Sequence, residues 1–103
     1  MPVDVKICGL STPEQVLTAL DAGADLVGFV FFPKSPRNVS IEQAAQLAQL
    51  ARGRARIVVL VVDADDALIS AIDKGVNPDL FQAHGSETPE RIAAIKALTG
   101  KPV

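Results

Sequence analysis

The sequence has no tryptophan or tyrosine, and only four phenylalanines, one cysteine, one histidine and one methionine in 103 residues. A single cysteine rules out an internal disulfide and suits a reducing compartment. One Cys and one His fall short of the three or four protein ligands usual for zinc, so no metal is expected. With so few aromatics the core must be built from Val, Ile, Leu and Ala, the palette of parallel α/β sheets. Basic charge is not in surplus: ten Lys and Arg stand against twelve Asp and Glu, for a net charge of −2. Nucleic acid is therefore not an expected partner. The longest aliphatic run, residues 57–62, is far shorter than the ~20 residues of a membrane helix. The N-terminus, Met1-Pro2-Val3-Asp4-Val5-Lys6, lacks the basic and apolar stretches of a leader. The expectation is a cytoplasmic protein, with no membrane association, folding as one domain over residues 1–103 with a modest core.

What the sequence does contain is a fourfold alternation of strand and helix signals. Strand one covers residues 3–8, with Val3, Val5 and Ile7 facing one way and Asp4, Lys6 and Cys8 the other, and breaks at Gly9. Helix one starts behind Ser11 and Thr12 with Pro13 and Glu14, carries Val16, Leu17 and Leu20, and closes at Gly23. Strand two, residues 26–31, leads into a loop, residues 32–39, that holds two prolines and two cations. Ser40 and Gln43 form a capping box for helix two, which runs through Ala44, Leu47 and Ala48 towards Gly53. Strand three, residues 56–62, has no polar alternation, so both faces are expected to be buried. Helix three carries Leu68, Ile69 and Ile72 and ends near Gly75. Strand four covers residues 79–84, and helix four starts at Thr88-Pro89-Glu90, buries Ile92 and Ile95 and stops at Gly100. Lys101-Pro102-Val103 reads as the first step into a fifth strand. Four βα units predict an α/β fold of parallel strands joined by right-handed helical crossovers. Gly9 to Glu14 also echoes Gly85 to Glu90 as Gly-x-x-Thr-Pro-Glu, as expected where similar turns need similar caps.

In parallel α/β folds, ligands bind at the C-terminal ends of the strands, and Cys8 ends strand one. A free cysteine also serves as a small buried hydrophobe. The alternation puts Cys8 on the polar face with Lys6, whose ammonium would favour the thiolate unless it pairs with Asp4. His84, at the end of strand four with Gln82 on the same face, suits either a structural hydrogen bond or a catalytic role. Arg37 lies in the Pro-bracketed loop on the Cys8 side; its guanidinium suits a carboxylate or phosphate, or plain solvent. No Gly-rich phosphate loop is present.

Three segments carry a resemblance. Lys6-Ile7-Cys8-Gly9-Leu10 with Glu14, then Gly28-Phe29-Val30-Phe31-Phe32-Pro33-Lys34-Ser35-Pro36-Arg37-Asn38-Val39-Ser40, then Gln82-Ala83-His84-Gly85-Ser86-Glu87, closely resemble the phosphoribosylanthranilate isomerase family of tryptophan biosynthesis. The resemblance implies the first four βα units of a TIM (βα)8 barrel, a half-barrel continued in the family by four more. It implies an Amadori rearrangement of N-(5-phosphoribosyl)anthranilate to 1-(2-carboxyphenylamino)-1-deoxyribulose 5-phosphate, without cofactor or metal. By resemblance Cys8 is the general base, Arg37 binds the anthranilate carboxylate, and Gln82 and His84, with Lys6 on the same face, contact substrate. Ala83 and Phe81 depart from the family pattern on the helix-facing side and are expected to alter packing only.

The family's general acid, an aspartate ending strand six, and the phosphate-binding loops after strands seven and eight lie beyond Val103. The chain alone is therefore expected to have little turnover. Its exposed sheet edges are expected to recruit another copy or a missing C-terminal half. A non-catalytic, self-assembling half-barrel is the rival reading. A relative of indole-glycerol-phosphate synthase is a third, against which the Cys8-Gly9 turn argues.

Overall fold

Capping side chains start all four helices in the computed structural model, which describes residues 4–103. Helix α1 (Pro13–Asp21) begins behind Thr12, whose hydroxyl accepts from the Gln15 N–H at 3.2 Å. Helix α2 (Ile41–Ala51) is capped by Ser40 and α3 (Asp66–Val76) by Asp65. Helix α4 (Pro89–Thr99) is capped by Thr88, which accepts from the Arg91 N–H at 3.1 Å. Each cap satisfies one N–H that the first turn would leave without a partner. The repeated Thr-Pro-Glu is thus a repeated cap. The glycines before it differ, because φ is +83° at Gly9 while no positive φ occurs at Gly85. The capping box of α2 is half formed: the Gln43 side chain donates instead to the Ser11 carbonyl at 2.7 Å, tying α2 to the turn before α1.

Strands β1 (Lys6–Ile7), β2 (Leu26–Phe31), β3 (Arg56–Val61) and β4 (Leu80–Ala83) form one parallel sheet in sequence order. Lys6 pairs with Leu26 and Leu26 with Arg56, and Val59 pairs with Phe81. Strand β1 is shorter than the sequence pattern predicts. Its expected start at Val3 lies outside the described residues, and after Ile7 the chain leaves the ladder for the Gly9 turn.

Strand parity decides which side chains meet the helices. Val27, Phe29, Phe31, Ile57, Val59, Val61 and Phe81 are all buried against Val16 and Leu20 of α1, Leu47 of α2, Ile69 and Ile72 of α3 and Ile95 of α4. The opposite, concave face is less covered. Val58 is buried there, but Leu60 is partly open, so the expectation that β3 is buried on both faces holds for one face only. Helices cover the convex side alone. Leu17 is also corrected: it is 44% exposed, and the core stripe of α1 is Val16, Ala19 and Leu20, the set that 100° per residue turns towards the sheet. Ile7 packs on the core as expected, whereas Val5 is 47% exposed beside the unpaired edge of β1. Ile92 is only partly buried, because α4 has a helical neighbour on one side, α3.

The N-terminal ends of the strands are joined by a motif used twice. The Asp25 N–H donates to the Val5 carbonyl at 2.8 Å while its carboxylate accepts from the Val5 N–H at 2.8 Å. Asp79 repeats both bonds with Ile57, at 2.8 and 2.6 Å. At the other edge, the Phe81 N–H donates to the Pro102 carbonyl at 2.9 Å, so residues 101–103 run beside β4 as a fifth strand would. Lys101 anchors that segment through Asp73, at 2.6 Å, and Asn77.

The two aspartates should differ in value, because Ile57 is fully buried and Val5 is open to water. Asp79→Ala leaves a buried N–H without a partner and is expected to cost about 1–3 kcal/mol. Asp25→Ala, where water takes over, should cost less than about 1 kcal/mol. Chemical denaturation of the two variants checks this, and equal losses would contradict it.

Candidate active site

The site is built from two glycines. At the end of β1 the N–H groups of Gly9 and Leu10 both donate to the Gly28 carbonyl, at 3.0 and 3.2 Å, which clamps the β1–α1 turn onto β2. A Cβ on Gly28 would lie 2.8 Å from the Cys8 Sγ, so the thiol occupies the space that the missing side chain leaves. A Cβ on Gly9 would lie 2.6 Å from the Arg37 Cδ. Arg37 therefore lies across Gly9, next to Cys8, and any L side chain at that φ of +83° would be strained as well as in its way.

Arg37 reaches this position because the β2–α2 loop folds back on itself. The Ser35 N–H donates to the Phe32 carbonyl and the Asn38 N–H to the Ser35 carbonyl, two consecutive turns, while the Ser35 hydroxyl accepts from the Arg37 N–H. The Val39 N–H then returns to the Val30 carbonyl at 3.0 Å. The loop, expected to be irregular, is irregular but tightly bonded.

Cys8, Gly9, Ser35, Arg37, Leu60 and His84 line one open cleft of about 330 Å³ at the C-terminal ends of the strands. The structure thus brings together three of the five residues singled out in the sequence. Lys6 and Gln82 line a neighbouring cleft of about 280 Å³ deeper on the concave face, together with Val58 and Leu80. There the Lys6 ammonium donates to the Gln82 side-chain carbonyl, linking the two edge strands across the concave face. Asp4, the partner considered for Lys6, accepts instead from Arg56 at 3.1 Å. The mouth of this surface carries a thiol, a guanidinium and an imidazole, and its floor an ammonium and a carboxamide. A thiolate there can take a proton, and a guanidinium beside it can hold a carboxylate in two-pronged fashion.

Gly28 and a carboxylate pair were not singled out in the sequence. An isolated glycine inside an otherwise aliphatic strand is a signal of close approach, and Gly28 carries it. The pair is Asp63 and Glu87, in the loops that follow β3 and β4. Burial pushes the Glu87 carboxyl up. The N–H groups of Asp63, Glu87 itself and Gly85, with the Arg91 guanidinium, outweigh that and hold its pKa below the ordinary glutamate value of 4.5.

A family model described as N-(5'phosphoribosyl)anthranilate (PRA) isomerase matches residues 5–102. An N-(5'-phosphoribosyl)anthranilate isomerase of Azorhizobium caulinodans is 57% identical over 103 residues, all of this chain and 45% of that protein. The Rhizobium meliloti enzyme is 55% identical over the same span, which is 48% of its length. The crystal structure of phosphoribosyl anthranilate isomerase from Thermotoga maritima superposes with a TM-score of 0.87 at 34% identity, covering 93% of this chain and 47% of that one. A second structure of such an isomerase, in complex with reduced 1-(o-carboxyphenylamino)-1-deoxyribulose 5-phosphate, matches with the same TM-score over 50% of its chain. The chain spans about half the length of the curated relatives it matches.

Two outcomes follow from the geometry. Gly28→Ala should destabilise the fold by about 1–3 kcal/mol through overpacking. Cys8→Ala in the same chain should return part of that loss, a coupling read from the four denaturation midpoints, whereas strict additivity would contradict the contact. For Glu87, a folded pKa below the unfolded one stabilises the fold in full above the unfolded value and is lost as pH falls through the folded one. Its side-chain carboxyl 13C shift should therefore titrate with a midpoint below 4.5.

Proposed function

The chain belongs to the N-(5'-phosphoribosyl)anthranilate isomerase family, and from that premise we propose that Cys8 is the general base of an Amadori rearrangement for which this chain supplies about half of a TIM-barrel site. The observation that carries the proposal is the meeting of Cys8, Arg37 and His84 in one cleft at the C-terminal ends of parallel strands. In that reaction a general acid protonates the ribose ring oxygen and the ring opens to a Schiff base. The Cys8 thiolate then takes the proton from C2′, and the resulting enolamine tautomerises to the ketose. Arg37 holds the anthranilate carboxylate, His84 and Gln82 contact the substrate from the end of β4, and Lys6, held by Gln82, adds positive charge beneath an anionic substrate. The substrate nitrogen serves as the electron sink, so the step uses no cofactor. A working thiolate is best kept in a reducing compartment, and a cytoplasmic location is part of the proposal.

The general acid and the phosphate grip are proposed to come from a further set of βα units that complete the sheet. The direction of residues 101–103 along β4 supports continuation of the sheet there. The same bond weighs against a module that assembles through its own free edges, because the Phe81 N–H on the outer side of β4 is already taken.

Loss of phosphoribosylanthranilate fluorescence tests the proposal. The chain alone should give no turnover above its Cys8→Ala variant. The chain mixed with a separately produced complementary half of a matched relative should turn substrate over, and Cys8→Ala should lower that rate by about 10²- to 10⁴-fold. A stable homodimer in light scattering, with no turnover in the mixture, would favour the non-catalytic module.

A further inference from the structure

Between β4 and α4 the chain passes from His84 to Thr88 with little regular structure of its own, yet it is bonded to the end of β3 and to the loop after it. The His84 N–H makes the last ladder bond, to the Val61 carbonyl at 2.9 Å. Beyond it, one carboxylate on each loop reaches into the other. Glu87 accepts from the Gly85 N–H at 2.7 Å through one oxygen and from the Asp63 N–H at 2.8 Å through the other. Asp63 accepts in return from the Ser86 N–H at 2.8 Å. The Asp63 carboxylate also lies flat against Gly85, where a Cβ would come within 2.8 Å of it.

Local propensity alone does not account for this arrangement. Asp63 sits at φ +49°, a left-handed conformation that aspartate adopts at a cost. That conformation is where its N–H meets Glu87 and its carboxylate meets Ser86. Arg91, in the first turn of α4, adds a second tie by donating to Asp66 at 2.5 Å and to the Ala64 carbonyl at 2.9 Å. The lowered pKa of Glu87 agrees with a carboxylate ionised in this setting.

His84 stands immediately before the cross-linked segment and lines the cleft with Cys8 and Arg37. It is exposed, so packing does little to hold it. We infer that Asp63 and Glu87 are positioning residues, a reciprocal carboxylate clamp between the loops after β3 and β4 that fixes His84 in the cleft. The clamp leaves His84 no freedom to swing away with its loop, since Ser86 and Glu87 are bonded across to Asp63 and Gly85 is bonded to Glu87 and packed against the Asp63 carboxylate. Its part in handling substrate rests on the isomerase reading above; its hold on His84 does not.

His84 is the only histidine in the sequence, so its imidazole gives a unique Cε1–Hε1 signal. The experiment is NMR relaxation and amide hydrogen exchange on the full chain, comparing it with Glu87→Ala and with Asp63→Gly, which removes the carboxylate while suiting the positive φ. In the parent chain the His84 and Gly85 amides should show rigid-backbone order parameters, about 0.85. In each variant they should fall below about 0.6. Exchange at Gly85 and Ser86 should speed up about tenfold or more, and the imidazole signal should report faster motion. Val59, in the middle of β3, should keep its protection, and Asp63→Asn, which retains an acceptor oxygen and tolerates the left-handed conformation, should stay close to the parent. Unchanged order at His84 in both variants overturns the inference. So does loss of Val59 protection in step with His84, which would make the pair a general stability element. Absence of turnover in the reconstituted parent would remove the isomerase reading and leave the clamp standing, whereas a rigid His84 in the variants would remove the clamp alone.

Discussion

A parallel strand joined to the next by a helix can bury only the face its own crossovers reach, and in this sheet all four helices lie on one side. Phe29, Ile57, Val59 and Phe81 take that side and are fully buried. The residues between them in each strand are left on a concave surface that no helix covers. Cys8, Leu60, Gln82 and His84 are on it for the same reason that Phe81 is in the core: strand parity, with one register running through the sheet. The apolar half of each strand holds the fold together and the other half is free to carry chemistry.

The two ends of the strands do different work. At the N-terminal ends, Asp25 and Asp79 each bond twice to the neighbouring strand, and Arg52 donates to the Val76 and Asn77 carbonyls at the end of α3. These contacts close backbone groups. At the C-terminal ends the contacts instead aim side chains. Gly28 makes room for the Cys8 thiol, Gly9 lets Arg37 lie beside it, and Asp63 with Glu87 ties down the segment that follows His84. The cleft is consequently a product of loops braced against each other and against β2.

The concave face is spanned by a single described side-chain bond, from Lys6 to Gln82, between the two edge strands. In a closed barrel such a contact would lie in the interior, in the layers of side chains that fill it. Here it fixes the ammonium near the floor of the cleft, and an open sheet thereby presents a preformed polar surface.

Much of this was legible in the sequence, because the signals involved are local. The four βα units, the helix caps at Thr12, Ser40 and Thr88, the bounds of β2 and the placement of Cys8 and His84 at strand ends follow from periodicity, capping chemistry and glycine breaks within a few residues of each position. The repeated Asp25-Leu26 and Asp79-Leu80 also carried a signal, although which N–H groups the carboxylates reach depends on the register of the next strand. The tertiary structure alone decided the rest. It left Leu17 outside the core and Leu60 partly open, since burial depends on where the helices sit and not on the hydrophobicity of a residue. It gave Lys6 to Gln82 and Asp4 to Arg56, since the nearest opposite group in space is not the nearest in the chain. It joined Asp63 to Glu87, 24 residues apart, because adjacent parallel strands bring their following loops side by side. Contacts of that kind have no periodicity and no local composition to announce them; they exist only once the sheet has formed.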